Sequence, residues 1–316
     1  MNERAWALAD SIVERAAELR VAIHVLSNGA RVIDAGVEAA GGLGAGCALA
    51  ELCMGGLGHV QFVSLRIGDE AWPGVQVWTD HPAQSCMASQ YAGWAINPEG
   101  FFAMGSGPLR AKARVERELF EKLRYERDEA TRGVLVLEAR ALPTPAVADW
   151  VATRARITPA ALTLAVAPTA SLAGGVQIAA RVLETGLHKM DTIGFDVMRV
   201  VDAIGTAPLP PTASSDIRAI GRTNDCILYG GQAHYVVDAP DEELAQMAER
   251  LPACASTDYG TPFYDIFKRY DKDFYKIDPM LFSPAEVWLT SATSGRTFHG
   301  GTLNPDVLRA SLFERV

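Results

Sequence analysis

Apolar and polar residues alternate along this chain in short blocks, and most blocks predict one element each. The opening residues, MNERAWALADSIVERAAELR, carry charges throughout and apolar positions at helical spacing. They predict an amphipathic helix and lack the apolar stretch of a secretory leader. VAIHVLSNGARVIDA (21–35) gives two β-type runs around Asn28-Gly29, the pair favoured in a type I′ hairpin. GVEAAGGLGAGCALAELCMGG then reads as a glycine loop and a helix stopped by Gly55-Gly56. HVQFVSLRI and GVQVWTD predict strands, and PAQSCMASQYAGWAI a helix of small residues. FFAMGSGPLRAKA predicts a glycine-rich turn, and residues 115–130 a charged, solvated helix at a domain border.

Beyond residue 130 the elements alternate. RGVLVLEA and AALTLAVAP predict strands, TPAVADWVATRA and DEELAQMAERL helices, and CILYGGQAHYVVDA further strand. VMRVVDAIGTAP carries no clear period. The tail AEVWLTSATSGRTFHGGTL predicts a hairpin turning at Ser294-Gly295. Ile157 to Ala180 holds no charge and is long enough to suggest a membrane span, but Pro159, Pro168, Gly174 and Gly175 divide it into strand, loop and helix start. Hairpins at both ends suggest that the termini share one sheet. The expected organisation is α+β, with residues 1–130 plus 259–316 as a discontinuous first domain and 131–258 as the second.

Composition narrows the function classes. With 316 residues and 49% hydrophobic content, the chain exceeds what one core usually serves. A net charge of −9 without any Lys/Arg run disfavours nucleic acid and anionic membrane as partners. Five cysteines, an odd and widely spaced set without CxxC, argue against a disulfide framework or zinc ribbon and for reduced, buried thiols. A soluble, cytoplasmic protein is expected. P-loop, HExxH and GxSxG motifs are absent, and GGLGAG (41–46) does not match GxGxxG.

GGVQIAARVLETGLHKM (174–190) predicts a helix apolar over most of its circumference. At about 100° per residue, Gln177, Arg181, Glu184 and His188 fall in one narrow stripe. Such a seam either lines a cleft or forms a thin solvent-facing strip, and the pattern alone leaves both open. Gly186 inside the helix suggests close backbone approach or an early end. Arg222, Thr223, Asn224 and Asp225 form a second polar cluster, suited to a polar heterocycle or equally to a loop and cap. Asp80 and His81 in TDHPA, Ser106, Gly107 and Arg110 in MGSGPLR, and Thr169 and Ser171 before the long helix offer further polar groups for a substrate.

Together NGARVIDAGVEAAGG, CMGGLG, TDHPA, FFAMGSGPLRA, APTASLAGGVQIAARVLETGLHK, GTAP, GRTNDCILYGG, DYGTPF and DFYKIDPMLFSPAEV resemble methenyltetrahydromethanopterin cyclohydrolases, in order and over almost the whole chain. The resemblance implies hydrolysis of the cyclic N5,N10-methenyl bridge of a tetrahydropterin carrier to the N5-formyl form, without metal or redox cofactor. It also implies a two-domain subunit with an inter-domain pocket, assembled as a trimer. The family's catalytic pair falls in ARVLETG, on Arg181 and Glu184. A homologue that binds the pterin without hydrolysing it is the alternative, and the intact Arg/Glu pair argues against it.

Overall fold

The computed structural model describes residues 1–91, 93–126 and 128–313. Its strands are β1 (Ala22–Val25), β2 (Arg31–Asp34), β3 (His59–Ile67), β4 (Glu70–Thr79), β5 (Trp94–Ile96), β6 (Ala103–Ser106), β7 (Gly133–Glu138), β8 (Leu162–Ala167), β9 (Val200–Pro208), β10 (Gln232–Val237), β11 (Glu286–Ser291) and β12 (Thr297–Gly301). They build two six-stranded mixed sheets, in the orders β1-β2-β8-β7-β6-β5 and β12-β11-β10-β9-β4-β3, so the fold is α+β. The chain divides into two compact units, residues 1–59 with 84–177 and residues 60–83 with 178–316.

In the first unit, β2, β8 and β7 run parallel at the sheet centre, flanked by antiparallel neighbours. β7 and β8 are buried on both faces, which is why they read as unbroken apolar runs. Val32, Leu135, Leu137 and Leu164 face the helix Pro145–Ala155, while Ile33, Val134, Val136 and Ala165 pack with residues of Asn2–Glu14 and Leu43–Cys53. In the second unit, β10 and β11 alternate buried and half-buried residues, the pattern of a sheet covered on one side.

Several local expectations need correction. The hairpin of β1 and β2 is not type I′: Gly29 has φ +87°, but Asn28 is not left-handed. Leu26 N–H donates to Ala30 O and Gly29 N–H to Leu26 O, a turn closed one residue wider. Residues 83–90 are π-helical, and the segment expected to continue them forms β5 instead. The glycine-rich turn is β6 followed by the helix Pro108–Ala113. Among the described residues of the charged stretch 115–130, the helix covers Arg117–Lys122. The unassigned VMRVVDAIGTAP contributes β9.

The two terminal hairpins do not share a sheet: β1–β2 joins β8, whereas β11–β12 joins β10. The expected domain boundaries therefore do not match the observed units. Two non-local pairings cause the difference. β4 pairs antiparallel with β9 and places the early hairpin in the second unit, and β8 pairs parallel with β2 and holds residues 131–177 in the first. Local periodicity carries no information about such pairings.

No disulfide joins the five cysteines; Cys53, Cys86 and Cys226 are buried and Cys254 is exposed. The Asp225 carboxyl is also buried. Asp225, on the helix Asp216–Leu228, accepts the Phe263 N–H (2.8 Å) and the Ser311 hydroxyl (2.5 Å). Burial pushes its carboxyl up to about 7. Because this folded value lies above the unfolded one, Asp225 favours the fold at low pH and loses that contribution as pH rises through about 7. Asp225→Asn should therefore gain stability relative to the parent between pH 5 and pH 8, by roughly 2 kcal/mol. Urea unfolding at both values checks this, and an unchanged difference between the two proteins would contradict it.

Candidate active site

The helix expected over 174–190 is two helices, Leu172–Ala179 and Val182–Thr192, interrupted at Ala180-Arg181. Arg181 is the N-cap residue of the second, with φ −84° and ψ 6°. Its N–H donates to Ile178 O (2.9 Å) and its carbonyl accepts from Thr185 N–H (3.0 Å). The halves are committed to separate cores. Val176 occupies the space beside Gly46 in the first unit, and Leu183 and Val182 lie against Gly205 in the second. A single helical wheel thus does not run from Gln177 to His188, although Glu184 and His188 still share a face of the second helix.

The break gives the carboxylate a better place than a mid-helix position. Glu184 sits in the first turn of Val182–Thr192, where unpaired N–H groups and the helix dipole favour negative charge. Arg181 and Glu184 are only 8% and 6% exposed, which excludes the reading of a thin solvent-facing strip. Arg181 and Glu184 are thus two buried charged residues, three positions apart, in otherwise apolar sequence.

Gly186 does not end the helix. A Cβ there would run into the hydroxyl of Tyr235, which donates to Leu183 O (3.0 Å). Gly186→Ala should cost about 1–3 kcal/mol, because overpacking outweighs the better helix propensity of alanine. Adding Tyr235→Phe should recover part of that loss. Thermal or urea denaturation of both variants measures it, and equal losses in the two would refute the clash.

The remaining expected site residues fall into separate groups. In the first unit, Gln177 is buried, and Cys53 Sγ lies 3.8 Å from its Oε1 and 3.2 Å from Ser106 Oγ. Ser106 and Gln177 are thus joined through a cysteine not anticipated as a site residue. Gly107, with φ +109°, opens the helix Pro108–Ala113 and donates its N–H to Ser89 O (2.7 Å). Thr169 is buried beyond β8, and its hydroxyl donates to Glu138, the last residue of the parallel β7. Ser171 accepts Gly174 N–H (3.0 Å) and donates to Pro168 O (2.7 Å), capping the following helix. The carboxyl ends of β2, β8 and β7 therefore carry Asp34, Thr169 and Glu138, the edge where open parallel sheets usually bind ligands. Glu138 was missed, although a carboxylate ending the apolar run GVLVLE is a visible signal.

Other assignments change on geometry. Arg110 is fully buried, pairs with Glu116 (2.6 Å), donates to Met87 O, and lies over the rings of Tyr91 and Phe120, each 5.2 Å away. Those partners tie it to the fold. Arg222, Thr223, Asn224 and Asp225 occupy consecutive positions of Asp216–Leu228, so their side chains point around the helix instead of to one ligand. Arg222 reaches Thr212 O (2.6 Å), while Thr223 and Asn224 donate to Ile220 O. Asp80 and His81 are exposed after β4, where His81 N–H donates to Thr79.

Among the described residues, atoms of His24, Asp34 and Glu38, all of metal-ligand type, lie within 4.8 Å of one another. Asp34 fits a cation poorly, since each of its oxygens already accepts two backbone N–H groups, Gly36 and Val37 on one and Glu38 and Ala39 on the other.

Comparison with known proteins adds the family. A family model described as "Cyclohydrolase (MCH)" matches residues 1–312. Methenyltetrahydromethanopterin cyclohydrolase of Methylobacillus flagellatus is 48% identical over 98% of this chain and 94% of its own. The proteins of that name from Methylobacterium organophilum and Methanococcoides burtonii are 46% and 40% identical, each over 98% of this chain and 97% of their own.

Proposed function

This chain belongs to the methenyltetrahydromethanopterin cyclohydrolase family, and we propose that it hydrolyses the N5,N10-methenyl bridge of a tetrahydromethanopterin carrier, or its bacterial analogue, to the N5-formyl form. The observation that carries the reading is the match of the family model across residues 1–312, with Arg181 and Glu184 both present and buried at a helix start.

The chemistry follows from the substrate. The bridge carbon lies between two nitrogens in a cationic amidinium and is already electrophilic. Attack by water cancels charge, so an oxyanion hole is not the main requirement. Glu184 takes a proton from the attacking water as the C–O bond forms, giving a hydroxymethylene adduct held by both nitrogens. It then returns the proton to N10 as the C–N10 bond breaks. The remaining hydroxyl proton leaves to solvent and the formyl group stays on N5. One carboxylate serves as base and then acid. Arg181 supplies the positive charge that orients the Glu184 carboxylate. A carbon already activated by its two nitrogens asks for no metal or redox cofactor. The subunit is read as part of a homo-oligomer, a trimer by the resemblance.

Loss of the methenyl chromophore on addition of the purified protein tests the reading. Saturable, enzyme-dependent loss is expected. Saturable pterin binding without loss would support the non-hydrolytic carrier instead, and an absence of binding would overturn both.

A further inference from the structure

The helix Val182–Thr192 lies close against the sheet of its own unit, and glycine makes room on both sides. Val182 and Leu183 sit over Gly205 of β9, and Gly186 faces the phenol of Tyr235 on β10. Tyr235 is fully buried, and its hydroxyl donates to Leu183 O (3.0 Å). That carbonyl belongs to the peptide group joining Leu183 to Glu184, so the phenol holds the backbone from which the carboxylate side chain springs. A carbonyl oxygen has two lone pairs and can take this bond beside its helical one. At about 100° per residue, Gly186 lies about 60° round the helix from Leu183 and about 160° from Glu184. The phenol therefore bears on the back of the helix, away from Glu184.

Packing alone would not choose this pair. Glycine is a poor helix former, and a buried tyrosine has to find a partner for its hydroxyl. Alanine at 186 with phenylalanine at 235 would fill the same space with neither disadvantage. The hydroxyl fits because position 186 has no Cβ, which would run into it. The helix start is not held by its N-cap, since Arg181 supplies no side-chain cap. Further along, the fully buried Lys189 ties the same helix to neighbouring segments, donating to Pro252 O (2.7 Å) and Met280 O (2.5 Å). Polar ties at Leu183 and at Lys189 together fix the rotation and depth of the helix.

We propose that Tyr235 is a positioning residue for Glu184, fixing the first turn of Val182–Thr192 so that the carboxylate meets the attacking water in productive geometry. The role rests on the reading of Glu184 as base and acid. Such a group has to be held within about 0.5 Å of its working place. Being fully buried, the phenol acts through the backbone and not on the substrate.

The test is a double-mutant cycle on the full chain, read as steady-state loss of the methenyl chromophore well below the melting midpoint of every variant. Tyr235→Phe should lower kcat about 5–30-fold and leave KM within about twofold, because the base is displaced while the binding groups stay. In a Glu184→Gln background the same change should alter the residual rate by less than about twofold, since the group it positions is gone. A merely structural hydroxyl would leave kcat of folded Tyr235→Phe at the parental value, and a phenol acting independently of Glu184 would cost the same factor in both backgrounds. Either result overturns the proposal. If Tyr235→Phe does not fold, Gly186→Ala decides: its methyl pushes the hydroxyl off Leu183 O and should lower kcat by a similar factor, and a parental kcat would overturn the role. A parent that removes no chromophore overturns the functional reading and this role together, whereas an active parent with an unaltered Tyr235→Phe overturns this role alone.

Discussion

Glu184→Gln is expected to lower kcat about 10²–10⁴-fold while leaving a folded protein that still binds the methenyl substrate. Glutamine keeps the shape of the side chain but cannot accept the water proton or return it to N10. The loss should therefore fall on kcat more than on KM. Arg181→Ala should also lower kcat, by a smaller factor, because it removes the group that orients the carboxylate without removing the base. Near-parental kcat in both folded variants would sink the assignment. Steady-state chromophore loss, with circular dichroism as the fold control, separates these outcomes.

The largest effect on stability is expected at Asp34. Its carboxylate accepts four backbone N–H groups, from Gly36, Val37, Glu38 and Ala39, at 2.7–3.0 Å. These bonds hold its carboxyl below the usual range although burial works in the opposite direction. Asp34→Asn keeps one accepting oxygen and turns an amide group towards two N–H donors. It should cost about 2–4 kcal/mol, read as a drop in the urea midpoint at pH 7. The sign of the pH dependence follows from a folded value lying below the unfolded one. The contribution is fully present above about pH 4 and is lost as pH falls through the folded value. The parent should therefore destabilise in acid, and the difference between parent and Asp34→Asn should shrink there. A difference that is constant down to pH 2 would contradict the role of the charge.

Much of the element content was legible because it is local. The hairpin around Gly29, the stop at Gly55-Gly56 and the turn at Gly295 all place glycine at positive φ, where sequence speaks directly. The apolar runs VLVL and LTLAVA marked the two strands buried on both faces. What escaped is set by tertiary packing. The interruption at Ala180-Arg181 has no breaker residue, since alanine and arginine are both good helix formers, and only the separate cores of the two halves account for it. The sheet assignment of β3 and β4 depends on a partner more than a hundred residues away. Arg110 and Asp225 read as ligand groups because sequence shows their charge but not their internal partners. The Arg181–Glu184 pair was visible by spacing. Its burial, which removes the solvent-strip reading, was not.

The most direct measurement of the central claim is a crystal structure of Glu184→Gln soaked with the methenyl-pterin substrate, the slow variant serving to hold it intact. The predicted result is the bridge carbon within one water molecule of the residue 184 side chain, with that water about 3–3.5 Å from the carbon. A fully bound substrate whose bridge carbon lies beyond the reach of a single bridging water from that side chain would contradict the account.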